Sequence, residues 1–189
     1  MNAASIGSDI IEPGFALFDT AIGICALAWG PRGLVGVQLP EDNGEAATRA
    51  RMRRRFPELP ESEPTGSAQQ AVAAIQALLQ GAADDLRHIV LDMSQVSEFH
   101  QRIYAIARRI PPGQTRTYGE IAAELGDKGL SRAVGQAMGH NPFAPVVPCH
   151  RVLAAGNKPG GFSAGGGALT KLRMLDIEGA RPNGMASLF

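Results

Sequence analysis

Thr117-Tyr118-Gly119-Glu120-Ile121-Ala122, followed after a short break by Ser131-Arg132-Ala133-Val134-Gly135-Gln136-Ala137-Met138, is the stretch that decides the architecture of the second half of this chain. Thr117 and Glu120 stand at the spacing of a capping box, in which the hydroxyl accepts from a first-turn amide and the carboxylate reaches back. A helix is expected to start there and to end at Gly126. Asp127 to Leu130 reads as a turn, and Ser131 as the cap of a second short helix running from Arg132 to about Met138. Two short helices with a tight connection make a helix-turn-helix candidate, although such pairs are common in proteins that never touch DNA. Arg132 near the start of the second helix raises the odds, as do the small residues around Gly135, which let a backbone approach phosphates closely.

Upstream, Ser97 is expected to cap a helix with Phe99, Ile103, Ile106, Ala107 and Ile110 on one face, stopped by Pro111-Pro112. Downstream, the proline-punctuated run Pro145-Val146-Val147-Pro148 leads into Cys149-His150-Arg151, and a glycine-rich loop follows from Gly156 to Gly167. The last helix runs from about Leu169 to Glu178 and is closed by Gly179. A carboxylate at a helix C-terminus faces the negative end of the macrodipole. Glu178 is therefore better explained by a partner such as a histidine than by solvent.

Cys149 is the first candidate for chemistry. A thiol is a strong nucleophile as its thiolate, and a neighbouring base or positive charge raises the thiolate fraction. His150 and Arg151 are neighbours of both kinds. Adjacent side chains of an extended segment point to opposite faces, so a proton relay from Cys149 to His150 needs a bend or a bridging water. Taken alone, a free cysteine is more often a small buried hydrophobe. That reading is kept for Cys25, which lies in the apolar segment Ile22 to Trp29.

The first half reads as α+β. Residues 14 to 18, 22 to 29 and 34 to 39 are expected to form a small antiparallel sheet, with Gly30-Pro31-Arg32-Gly33 as a turn. Glu41 to Phe56 is expected to form a helix carrying Arg51-Met52-Arg53-Arg54-Arg55, a run that could touch nucleic acid but is better read as a solvated face. Ser67 is expected to cap a helix to about Gln80, and Arg87 to Met93 to form another strand.

With 189 residues and 44% hydrophobic content, the chain is long enough to bury a proper core, as one large domain or two small ones. No apolar run is long enough to span a bilayer, and residues 1 to 13 show no signal peptide, so a soluble cytoplasmic protein is expected. The two cysteines are expected to be reduced, and the four histidines fall at no metal-ligand spacing; no metal and no cofactor are expected. The net charge of zero hides an asymmetry: residues 1 to 95 carry 7 Lys+Arg against 12 Asp+Glu, and residues 96 to 189 carry 11 against 6. A basic second half suits an anionic partner such as nucleic acid without establishing one.

The ordered words Thr117-Tyr118-Gly119-Glu120-Ile121-Ala122, Arg132 to Met138, Asn141-Pro142, Pro148-Cys149-His150-Arg151-Val152 and Glu178-Gly179 closely resemble the O6-alkylguanine-DNA alkyltransferases, also called methylated-DNA-protein-cysteine methyltransferases. The resemblance implies a ribonuclease-H-like α/β domain over residues 1 to 95, mainly structural. It implies a mainly α, winged-helix-like domain with the helix-turn-helix over residues 96 to 189. It also implies direct-reversal DNA repair: Cys149 takes the alkyl group from O6-alkylguanine irreversibly, so each molecule acts once, as a monomer on double-stranded DNA.

By the same resemblance, Cys149 hands its proton through water to His150, which Glu178 orients. The target base is flipped out of the duplex, whose minor groove the helix-turn-helix occupies, and Arg132 fills the vacated stack. Tyr118 donates toward guanine N3, Ser163 and the backbone of Val152 lie near O6, and Asn141 ties the recognition helix to the active-site strand. Two departures bear on substrate range: Phe162 stands where a tyrosine is frequent, and the loop from Gly160 to Gly167 is slightly longer than the family pattern. No zinc-binding Cys/His set is evident, and no methylated-phosphate-sensing domain is expected at the amino terminus. Two other readings compete: a damage-binding module that flips alkylguanine without repairing it, whose relatives lack the cysteine, and a Cys-His hydrolase, whose nucleophile and base normally lie far apart in sequence.

Overall fold

The computed structural model describes residues 11–182, so most of the segment read as lacking a signal peptide lies outside the described residues. Three strands, β1 (Gly14–Thr20), β2 (Gly23–Gly30) and β3 (Gly33–Gln38), form an antiparallel meander in the order β1-β2-β3. Both connections are tight, closing on the pairs Thr20 with Gly23 and Gly30 with Gly33. Gly33 adopts φ 125°, and a Cβ there would lie 2.6 Å from the Val90 carbonyl oxygen, so the turn residue also admits a neighbouring chain segment.

Alternation along the strands distributes the core. Phe18, Cys25, Leu27 and Trp29 pack toward α2 (Gly66–Leu78), which contributes Ala68, Ala71, Ile75 and Leu78. Phe15, Ala26 and Ala28 take the opposite face with Met52 of α1 (Glu45–Arg55). Both faces are covered, which is why residues 24 to 29 read as a continuous apolar run rather than a strict alternation. Cys25 is fully buried as expected, and burial pushes its thiol up to about 12.

The second half is helical. The order is α3 (Glu98–Ala107), a two-residue strand β4 (Arg116–Thr117), α4 (Tyr118–Glu124), a 3-10 turn (Lys128–Leu130) and α5 (Ser131–Gly139). A second 3-10 turn (Cys149–Arg151) leads into β5 (Val152–Leu153), which pairs in parallel with β4, and α6 (Ala168–Ile177) closes the described chain. Ser97 accepts from the His100 amide, and the Thr117–Glu120 capping box is complete. Tyr104 donates its hydroxyl to Ala137 O at 2.8 Å and so ties α3 to α5. Val146 and Met174 join the cluster beneath the N-terminal sheet, so the apolar core is continuous from one half into the other.

Several expected boundaries move. Residues 87 to 93 make a single parallel bridge, Leu34 with Leu91, instead of a strand. The Leu86 and Ile89 carbonyls bond to the Arg108 guanidinium, and Val90 is 65% exposed, leaving the segment no ladder to extend. Helix α1 starts at Glu45 because Gly44, at φ 77°, breaks the backbone after a turn. Thr65 rather than Ser67 occupies the N-cap position of α2, and Leu130 rather than Ser131 that of α5; Ser131 instead donates to Lys128 O.

Candidate active site

The Cys149 segment is a bend, not an extended strand. Pro148 precedes the 3-10 turn that starts at Cys149, whose amide donates to Val147 O at 2.8 Å, while the Arg151 amide donates to Pro148 O at 2.9 Å. This turn sends the side chains of Cys149 and His150 apart. Cys149 joins the apolar cluster of Ile121, Val134, Met138, Phe143 and Val152 and lines a cavity of about 280 Å³, whereas His150 turns inward to Glu178.

His150 Nε2 lies 2.7 Å from Glu178 Oε1. The same carboxylate accepts from Arg151 Nε at 2.9 Å and from Arg151 Nη2 at 2.7 Å, and Arg151 Nη1 donates to Ile110 O at 2.7 Å. All three side chains are almost fully buried. Burial works to raise the Glu178 pKa, but His150 and Arg151 together hold it down to about 2. A carboxylate only accepts, so Nε2 carries the proton and Nδ1 is the free acceptor. Burial lowers the His150 pKa against the pull of Glu178, which leaves the imidazole neutral. Its Nδ1 is buried and has no protein partner among the described residues.

Around Cys149 two tendencies oppose. Burial raises the thiol pKa, while the Asn141 side chain, the charge of Lys171 and the backbone amides of Cys149 and His150 favour the thiolate. Asn141 also fixes the turn after α5: Nδ2 donates to Val147 O at 2.7 Å, and Oδ1 accepts from the Phe143 amide at 2.9 Å. The arginine run behaves as two populations. Arg53 lies outward and pairs with Glu61, but Arg55 turns inward and donates to Val37 O and Pro142 O, linking α1 to the Asn141 turn.

Tyr118 is half-buried at the start of α4. Gly160, at φ 71°, lies so close that a Cβ there would come within 2.8 Å of the Tyr118 hydroxyl, so a side chain at 160 would displace the ring. Gly135 of α5 also faces that ring, at a distance of 3.8 Å that a methyl group would tolerate. Tight packing inside the protein therefore does not demand a glycine at 135. Arg132 is exposed on the first turn of α5 and Ser163 is exposed on the glycine loop, where it lines the cavity with Cys149. Val152 is buried, its carbonyl already accepting from Lys171 Nζ at 2.7 Å. Cys149, His150, Glu178, Asn141 and Val152 thus form one connected set, Tyr118 and Ser163 flank it, and Arg132 stands apart on the surface.

Lys171 was not anticipated from the sequence. It shares the buried stripe of α6 with Met174 and Leu175, at helical spacing, and a lysine on an otherwise apolar stripe is the signal that would have found it. Among the described residues, no three His, Cys, Asp or Glu side chains converge as a metal site, and no helix is long and apolar enough to cross a membrane.

The family model described as 6-O-methylguanine DNA methyltransferase, DNA binding domain, matches residues 98–180. The methylated-DNA–protein-cysteine methyltransferase of Mycobacterium tuberculosis (strain ATCC 25618 / H37Rv) is 46% identical over 93 residues, 49% of this chain and 55% of its own. The chain thus spans about half the length of that relative. The protein of the same name from Mycobacterium leprae (strain TN) is 37% identical over 160 residues, 85% of this chain and 88% of its own. The crystal structure of Mycobacterium tuberculosis OGT in complex with DNA aligns with a TM-score of 0.71 at 32% identity, covering 88% of this chain and 92% of that one. A chain of this fold, with this thiol, imidazole and carboxylate in place, belongs to the methylated-DNA–protein-cysteine methyltransferase family.

Proposed function

We propose that this protein is a methylated-DNA–protein-cysteine S-methyltransferase that repairs O6-alkylguanine in double-stranded DNA by direct reversal. The observation that carries the reading is the 2.7 Å contact of His150 Nε2 with Glu178 on the same turn as Cys149, because it leaves Nδ1 as a base with no protein partner. Cys149 gives its proton to Nδ1 through a water, and the imidazolium that forms is stabilised by Glu178. The thiolate attacks the alkyl carbon in line, forming the S–C bond as the C–O6 bond breaks. The electron pair stays on guanine, which is then protonated and returned to the stack. A thioether does not hydrolyse under mild conditions, so each molecule acts once.

The remaining residues take supporting parts in this reading. Helices α4 and α5 serve as the helix-turn-helix of a winged-helix-like domain, entering the minor groove, and Arg132 fills the gap left by the flipped base. Tyr118 donates toward N3, Ser163 and the Val152 backbone lie near O6, and Asn141 couples α5 to the reactive turn. Residues 1 to 95 form a ribonuclease-H-like structural domain and residues 96 to 189 the working one, acting as a monomer in the cytoplasm. The test is stoichiometry: restored guanine should plateau at one per protein molecule with an O6-methylguanine duplex in excess. Continued turnover would contradict the reading, and so would tight binding with no guanine restored.

A further inference from the structure

Gln38 stands where two cations meet. Its Oε1 accepts from Arg51 Nε at 3.2 Å and from Arg55 Nη1 at 3.1 Å, and all three residues line the cavity that Cys149 also lines. Arg55 has no carboxylate partner among the described residues: its other acceptors are the carbonyls of Val37, at 2.8 Å, and Pro142, at 3.2 Å. Arg51 has one, Glu41, whose Oε1 lies 3.3 Å from Nε. That contact and the one to Gln38 both engage Nε, so the Nη1 and Nη2 hydrogens of Arg51 have no acceptor among the described residues. Burial, and next the charge of Arg51, lower the Arg55 pKa to about 10, so it remains a cation at neutral pH. Two guanidiniums against one carboxylate leave this part of the cavity with positive charge to spare. At about 280 Å³ the cavity is also far larger than a methyl group needs, since a water in the liquid fills about 30 Å³.

We propose that this cavity is an anion subsite, in which Arg51 and Arg55 select O6-alkyl groups that end in a carboxylate over neutral groups of the same size. The reacting carbon must reach the Cys149 sulfur, and whatever the alkyl group carries beyond that carbon has this cavity to enter. A carboxylate there accepts from the free Nη hydrogens of Arg51 in a charge-assisted bond, and its charge offsets that of Arg55. An amide of the same shape gives Arg51 an acceptor without the charge, and a methyl group gives it nothing. Glu41 does not line the cavity and competes for Nε alone. Both arginines belong to α1, so the first half of the chain supplies part of the site and with it part of the choice of substrate. The inference rests on the repair reading for its substrate, but the subsite itself is tested without DNA.

The probes are iodoacetate and iodoacetamide, which put a carboxylate or an amide on the same one-carbon link to sulfur. In either reaction the Cys149 thiolate forms the S–C bond as the C–I bond breaks, and iodide leaves with the electron pair. Both rates depend alike on the thiolate fraction, so their ratio reports the subsite. The ratio is followed by intact mass with peptide mapping and is referred to the same ratio for free N-acetylcysteine. Arg51→Gln should lower the referred preference for iodoacetate by about tenfold, the scale of one hydrogen bond to a charged group, and Arg51→Lys should keep most of it. A folded Arg51→Gln protein with the native ratio would overturn the proposal. Should that variant not fold, the native sequence carries the test: the Arg51 and Arg55 Nε signals in NMR should differ between the carboxymethylated and the carbamoylmethylated protein. Coincident signals would overturn the proposal equally. An Arg51-dependent ratio in a protein that takes no alkyl group from any O6-alkylguanine duplex would keep the anion subsite and count against the repair reading alone.

Discussion

The two cysteines are both buried and differ in what surrounds them. Cys25 is completely buried in the central strand of the sheet, with Thr20 Oγ1 3.6 Å from its sulfur, and its thiol is pushed up to about 12. Cys149 is 5% exposed, so desolvation acts on it as well, but Asn141, Lys171 and two backbone amides all favour the charged form. Burial alone therefore makes a structural thiol. Burial with an organised set of donors and a neighbouring neutral imidazole makes a candidate nucleophile.

The sharpest way to break this contrast is to remove each thiol in turn. Cys149→Ala should abolish alkyl transfer completely, as followed by transfer of a labelled methyl group from DNA to protein. Cys25→Ala should leave transfer close to the native rate, because Cys25 itself does not line the cavity that holds Cys149. Transfer that depended on Cys25 would invert the comparison.

Glu178→Ala should come next in size, since it strands Arg151 and His150 as buried groups without their shared acceptor. Losing one partner of a buried pair costs about 3–5 kcal/mol, measurable by denaturant unfolding, and the transfer rate should fall with it. Acid tests the same arrangement without mutation. Glu178 is held at about 2 against an ordinary 4.5, so its stabilising contribution is complete above about 4.5 and is lost as pH falls toward 2. The lowered His150 pKa acts in the same direction, because below its ordinary value of 6.5 the unfolded chain takes up a proton that the native imidazole resists. Stability followed by thermal unfolding should therefore decline from about pH 6.5 downward. Asn141→Ala should have the smallest effect, about 1–3 kcal/mol for the two bonds that hold the turn, with a slower transfer rate from the loss of a group beside the thiol.

Much of this was legible along the chain because it rests on local chemistry. The three strands, the Ser97 cap and the Thr117–Glu120 capping box follow from short apolar runs bounded by turn residues and from side-chain reach over a few residues. The partner of Glu178 was also foreseeable, since a carboxylate at a helix C-terminus asks for one. What was not legible depends on encounters between distant segments. Arg151 looked like a neighbour of the thiol and instead spends its guanidinium on Glu178 and the Ile110 carbonyl. Arg55, one of a run of arginines, turns inward to the Pro142 carbonyl of the other half, and residues 87 to 93 lose their strand to the carbonyl-capping Arg108. Lys171 is the most consequential of these, because its setting requires Tyr118, Phe162 and Val152 to converge.

The measurement that tests the central claim most directly is intact-mass spectrometry, with peptide mapping, of the protein mixed with a duplex carrying a single O6-methylguanine. The account predicts one added methyl group per molecule, located on Cys149 and absent from Cys25, with unmodified guanine left in the DNA. An unchanged mass despite bound DNA, or a methyl group found anywhere but Cys149, would contradict it.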